Sequence, residues 1–174
     1  IFRSFVSRNQ DLLKRAYTTY VRPMLEYCTP ICSPHLAKDI ARIESVQRYF
    51  TRRLFPKVTL AYDERLCILD LESLELRRLK FDLILYYRIL NSFINLDPEH
   101  FFVRSPTTYD TRSHHLQLEK QIFQNNSLNN TFSNRAIDCW NSLPIDTVSA
   151  INPNCFKFNL DRIDANIFKP YLLS

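Results

Sequence analysis

HLAKDIARIESVQRYFTRRL, residues 35–54, is the stretch from which the rest of the chain is best read. Leu36, Ile40, Ile43, Gln47, Phe50 and Leu54 recur at three- and four-residue spacing, which at about 100° per residue stacks them on one side of a helix. Lys38, Arg42, Arg48, Arg52 and Arg53 fall on the opposite arc of roughly 140°, together with Ser45 and Tyr49. Asp39 and Glu44 flank the apolar stripe, so the arc itself holds no acid. A helix with one oily side needs neighbours to cover it, and the flanking sequence supplies them.

Upstream, Leu12, Leu13, Ala16, Tyr17, Tyr20, Val21, Met24 and Leu25 keep the same spacing, predicting a helix from Gln10 to about Tyr27 disturbed at Pro23. Pro30 and Pro34 make Cys28 to Pro34 a rigid connector. Downstream, a short helix is expected over Tyr62 to Leu69. Ser73 caps a longer one ending near Asn91, whose stripe of Leu76, Leu79, Leu83, Ile84, Tyr87 and Leu90 is broad enough for partners on two sides. The fold class read from this pattern is mainly α: a helical bundle over residues 1–96, then a smaller, irregular and helical part over 97–174. At Asp97-Pro98 the composition shifts to a polar loop, with a short β-ribbon expected within His115 to Phe123. A helix over Ser133 to Ser142 carries Trp140, read as a core residue, and stops at Pro144. Asn152-Pro153 starts a final helix running to about Asn166.

The composition excludes several kinds of chemistry. The 174 residues hold 45% hydrophobic and 13% aromatic side chains but Gly 0. Phosphate-cradling loops, dinucleotide turns and the G-x-S-x-G elbow all need glycine where the backbone closes tightly, so those readings fall. Tight turns must lean on asparagine, as at Asn125-Asn126 and Asn129-Asn130, which favours helices over a large sheet. The chain starts at Ile1 and its one methionine is Met24, so it reads as a piece of a longer product. Residues 1–8 have no hydrophobic leader region, and Phe81 to Leu90, the most apolar stretch, carries Asp82 and Arg88. With five scattered cysteines (Cys28, Cys32, Cys67, Cys139, Cys155), the expectation is an intracellular protein with reduced thiols, no membrane and no small-molecule substrate.

No catalytic constellation emerges, and no catalytic, cofactor or metal residue is assigned. Two-metal nucleotidyl transfer needs converging carboxylates. The sequence has no Asp-Asp pair, and Asp161 and Asp164 read as a solvated helix face. Cys28, Cys32 and His35 offer three zinc donors where a structural site wants four, so buried thiols are the preferred reading. His114-His115 lacks a nucleophile or orienting carboxylate at telling spacing. What remains is the basic arc. With a net charge of +5 and Arg77, Arg78 and Lys80 following in sequence, it has the makings of a phosphate-tracking surface.

Beyond this physical reading, the order Tyr20-Val21-Arg22-Pro23, Leu25-Glu26-Tyr27, Ser33-Pro34 and Val46-Gln47-Arg48 resembles the region after the palm in reverse transcriptases of non-long-terminal-repeat retrotransposons. Tyr62-Asp63-Glu64-Arg65-Leu66, Leu74-Glu75, Arg77-Arg78 and Asp82-Leu83 extend it. So do Thr111-Arg112-Ser113-His114, Phe132-Ser133-Asn134-Arg135, Trp140-Asn141-Ser142-Leu143-Pro144 and Phe156-Lys157, so that it covers nearly the whole chain. Cys32 stands where that family usually has tryptophan, and Ser113 where glycine is expected. The resemblance implies a thumb and C-terminal extension. The palm with its paired aspartates, the magnesium it uses and any endonuclease would then lie upstream, in the same polyprotein. The expectation is a non-catalytic fragment of an RNA-directed DNA polymerase, binding RNA or an RNA-DNA hybrid through Lys38, Arg42, Arg48, Tyr49, Arg52 and Arg53. The alternative is a structural or interaction protein, or an inert relic of a transposable element, whose arc is merely solvated.

Overall fold

A computed structural model describes residues 1–2, 7, 9–105, 114 and 116–173. Thr111, Arg112, Ser113 and His115, on which parts of the sequence reading rest, lie outside the described residues, as does much of the 1–8 stretch. The fold is mainly α with one two-stranded antiparallel sheet, as the patterning predicts. It divides into two compact units, Ile1–Arg78 and Leu79–Leu173. The compositional change at Asp97 falls within the second of them.

In the first unit, α1 (Gln10–Ala16) starts where the Asn9 side chain accepts from the Leu12 amide at 3.1 Å. The disturbance expected at Pro23 comes one turn earlier, as a π-turn over Tyr17–Val21 closed by the Arg22 amide on the Tyr17 carbonyl. Proline has no N–H to give to the carbonyl four residues back and its ring crowds that oxygen, so the preceding ladder widens. α2 (Arg22–Glu26) follows, and Cys28 then turns the chain in the left-handed region at φ 56. The connector expected from Cys28 to Pro34 is therefore partly a helical turn, α3 (Thr29–Cys32).

α4 (Ala37–Leu54) matches the decisive stretch to within two residues. α5 (Tyr62–Ile68) begins with the Glu64 carboxylate accepting from the Ala61 amide at 2.7 Å, which satisfies an amide ahead of the first turn. α6 (Leu74–Leu90) opens with Ser73 Oγ accepting from the Leu76 amide at 3.2 Å. Both α5 and α6 end in the same Schellman pattern. Leu71 N–H returns to the Leu66 carbonyl and Asp70 N–H to Cys67, while Phe93 N–H returns to Arg88 and Ser92 N–H to Ile89. Asp70 (φ 47) and Ser92 (φ 57) take the left-handed position usually given to glycine.

The core of this unit joins Leu13 and Tyr17, from α1 and the π-turn, to Phe50 and Leu54 of α4 and to Leu66, Leu69 and Leu71. Tyr17 stacks on Phe50 with centroids 4.3 Å apart. Burying such side chains is the main favourable contribution, about 1.5–3 kcal/mol each before the entropy of ordering them is set against it.

In the second unit, Asp97 caps a single 3-10 turn over Pro98–His100. β1 (Val103–Arg104) pairs antiparallel with β2 (Leu118–Glu119), Val103 opposite Glu119. The ribbon expected within residues 115–123 thus supplies only one strand, and its partner comes from upstream. Strand pairing across a long connection leaves no local turn signature to read. α7 (Asn126–Asn129), α8 (Phe132–Arg135) and α9 (Ile137–Asn141) follow, the last two separated at Ala136 (φ −106, ψ 5) where one continuous helix was expected. The break has a physical reason. Buried Asn134 gives its amide to the Gln121 and Asn129 carbonyls, and Arg135 is tied to Asp82 by two 2.7 Å bonds, so the chain here follows tertiary partners rather than the helical ladder.

Pro144, expected to stop a helix, also starts one, α10 (Ile145–Val148). α11 (Pro153–Arg162) is capped by the Asn152 side chain on the Cys155 amide at 2.8 Å. It ends short of the expected Asn166, because Asp164 caps a separate 3-10 turn over Ala165–Ile167. Trp140 is fully buried, as expected, with its indole N–H on the Leu116 carbonyl at 2.8 Å. Tyr87 and Phe156 stack beside it at 4.4 Å between centroids.

Candidate nucleic-acid interface

Geometry first decides whether the arc on α4 is available. Lys38, Arg42, Arg48, Tyr49, Arg52 and Arg53 are all exposed, Tyr49 at 60%. Opposite them Ile40, Gln47, Phe50 and Leu54 are buried. Among the described residues, none of the five cations on the arc lies within ion-pair distance of a carboxylate. Two of them have aromatic partners instead. The Arg48 guanidinium lies 4.3 Å over the Tyr62 ring, and Arg53 lies 4.7 Å over Phe2 while donating to the Tyr49 hydroxyl at 2.8 Å. Such contacts hold a guanidinium in place without neutralising it.

One acid of α4 departs from the sequence reading. Glu44, expected beside the apolar stripe, is 1% exposed. Its two carboxylate oxygens accept from the Leu74 amide at 3.2 and 3.0 Å, so it caps the start of α6, and it also takes the Tyr62 hydroxyl proton donor. Gln47 completes the network, accepting from Tyr17 Oη at 3.0 Å and donating to Tyr62 Oη at 3.1 Å and the Glu72 carbonyl at 2.9 Å. Burial raises the hydroxyls of Tyr17 and Tyr62 above the ordinary tyrosine value, and the neighbouring Glu44 carboxylate adds to both shifts. Both therefore stay neutral donors. The consequence for the surface is that one of the two acids flanking the arc, Glu44, is folded inward and caps a helix start.

The cations expected to extend the surface from α6 do not do so. Arg77 pairs with Glu26 and lies 3.6 Å from Glu72. Arg78 is 5% exposed and donates to the Leu25 carbonyl at 3.0 Å. Lys80 is 7% exposed and bonds Asp161 at 2.9 Å. Arg77 and Lys80 answer to carboxylates distant in sequence and Arg78 to a distant backbone carbonyl, which spacing does not reveal. Arg78 and Lys80 are withdrawn from the surface, and Arg77 is half-buried and paired.

The structure adds residues that spacing missed. The last turns of α4 and the loop at 55–60 line a groove of about 1150 Å³. Arg48, Arg52, Arg53, Lys57 and Arg65 line it, with no acidic residue among its described lining. Arg65 is fixed there by its donation to the Leu60 carbonyl at 2.6 Å and to Thr51 Oγ1 at 3.3 Å. The one signal in the sequence was Lys57 directly after Phe55-Pro56, which ends the helix and turns the chain back along it.

Elsewhere the reactive side chains sit quietly. All five cysteines are free, and burial pushes the Cys139 thiol up to about 12. Among the described residues, no group of three His, Cys, Asp or Glu side chains is placed to hold a metal. Asp161 is held by Lys80 and Asp164 by its own helix cap, and His114 is buried with Nε2 2.9 Å from the Trp140 carbonyl. Among the described residues no helix is long and apolar enough to cross a membrane.

The fold and this face together define a mainly helical protein with an unopposed basic helix surface opening into a cationic groove. No family model matches the chain, and no solved structure matches it significantly. It is similar to an uncharacterized protein of Caenorhabditis elegans, 27% identical over 94 residues, which are 52% of this chain. The match covers 48% of that relative's length.

Proposed function

We propose that this chain is a non-catalytic, nucleic-acid-binding part of a retrotransposon reverse transcriptase, gripping RNA or an RNA-DNA hybrid through the outer face of α4. The observation that carries the reading is the unneutralised arc of Lys38, Arg42, Arg48, Arg52 and Arg53, continued by Lys57 and Arg65 in the groove. Cations left without carboxylate partners are matched by phosphates, which bring their own charge and release counterions on binding. Tyr49 on the same face suits it to stacking as well.

The residues behind the sequence resemblance support the same reading in a different way. Tyr62, Gln47, Glu26, Arg77, Asp82, Arg135 and Trp140 are engaged in the network, ion pairs and core described above. They hold this fold together, so the family reading rests on the sequence resemblance and the binding reading on charge. Polymerisation would belong to an upstream palm using magnesium, which is also the natural covalent partner of this chain. Five free thiols suit a reducing, intracellular setting.

The test is a gel-shift titration of an RNA-DNA hybrid at low salt, with wild type and an Arg48→Glu/Arg52→Glu variant of unchanged fold. Retention by the wild type and its loss in the variant is the expected result. No affinity for hybrid at low salt rejects the reading and leaves a structural or relic protein.

A further inference from the structure

We propose that the groove between the end of α4 and the loop at 55–60 seats an unpaired stretch of nucleic acid, while the exposed face of α4 tracks the adjoining duplex. This rests on the nucleic-acid reading above and adds a specificity for strand state.

Two different surfaces are present. Lys38 and Arg42 lie outside the groove, on the first turns of α4, and offer charge alone. At the other end, Arg48, Arg52 and Arg53 line a concavity together with Phe55, Pro56 and Val58. A duplex keeps its base faces stacked inside and presents phosphates, sugars and base edges, so an apolar lining finds no base face to stack on. An unpaired strand presents phosphates and aromatic base faces together, and both have partners here. Cations line the groove, Tyr49 stands exposed beside them, and the Phe55-Pro56-Val58 segment supplies apolar surface.

Size and fixation agree with this. At about 1150 Å³ the groove exceeds the roughly 300–1,000 Å³ typical of small-ligand pockets. Three of its four arginines are already held, Arg48 against Tyr62, Arg53 against Phe2 and Tyr49, and Arg65 on the Leu60 carbonyl. Little side-chain freedom remains to be lost when a strand arrives. An acidic peptide shares the charge of such a strand but lacks its flat bases, and Tyr49 with the apolar lining favours the nucleic acid.

The experiment measures binding of the whole chain, by fluorescence anisotropy, to a blunt RNA-DNA hybrid, the same hybrid with a short single-stranded overhang, and that overhang made abasic. The overhang should tighten binding at least tenfold, in the range for stacking of one or two bases on aromatic groups. The abasic overhang should lose most of that gain. Val58→Asp, at a 56% exposed position and with an unchanged thermal melt as the control, should remove the gain while leaving blunt-hybrid binding within about threefold of wild type. Equal affinity for blunt and overhanging hybrids overturns the inference and leaves the α4 reading standing. Polyglutamate competing as well as the overhang also overturns it. Failure of every hybrid to bind removes the underlying nucleic-acid reading instead.

Discussion

Neutralising two exposed cations on α4 should change the salt dependence of binding by a calculable amount. Arg42 and Arg52 are the choice, because both are exposed and neither makes an ion pair among the described residues. From Lys38 to Arg53 the helix runs about 22 Å at about 1.5 Å per residue. Phosphates follow one another roughly every 3.4 Å along a strand, so about six lie within reach of the five cations. If all five engage a duplex, the log–log salt slope is about −4.5, and affinity falls about 500-fold between 50 and 200 mM salt. The Arg42→Gln/Arg52→Gln variant keeps three cations, so its slope should be about −2.7 and its loss over that range about 40-fold. Substitutions this exposed should shift stability by no more than about 0.5 kcal/mol, which a thermal melt checks. Anisotropy titrations of a labelled hybrid across the salt series give both slopes. Identical slopes for variant and wild type refute the reasoning, because the arc would then carry charge that meets no phosphate.

Three further outcomes concern the fold that holds this face. Glu44→Ala leaves the Leu74 amide and the Tyr62 hydroxyl without their acceptor, and should cost about 3 kcal/mol in urea unfolding. Asp82→Ala removes the buried carboxylate that pairs with Arg135 and should cost about 3–5 kcal/mol, whereas Asp82→Leu with Arg135→Met should recover most of it. Because Tyr17 and Tyr62 are raised above 10.0 when folded, the unfolded chain releases those protons first as pH rises. Their contribution is therefore intact below about pH 10 and is lost above it, and Tyr62→Phe should flatten the fall of the urea midpoint between about pH 9 and 11.

The helices built on long apolar stripes were readable in advance. α4 and α6 carry their own spacing and, for α6, a serine cap, so local chemistry and final structure agree. The short elements were not. α8 and α9 separate because Asn134 and Arg135 answer to Gln121, Asn129 and Asp82, none of which lies within helical reach in the sequence. β1 is two residues long and finds its partner across a long connection, which no periodicity announces. At the candidate interface the reading of α4 identified the exposed cations, since burial follows the stripe. It failed on Arg77, Arg78 and Lys80, whose sign is the same but whose carboxylate partners, Glu26 and Asp161, or buried surroundings come from distant segments. Charge on a helix face is visible in one dimension, and its neutralisation is not.

The left-handed exits of α5 and α6 leave this fold short of its thermal ceiling. A side chain in that conformation costs about 1–2 kcal/mol, and the chain has put Asp70 and Ser92 there without a glycine anywhere in its length. Asp70→Gly and Ser92→Gly each release that steric load, partly offset by the freer unfolded backbone that glycine brings. Two small edits at residues that are not part of the basic face would thus harden the scaffold, making these exits the natural starting points for a heat-tolerant version.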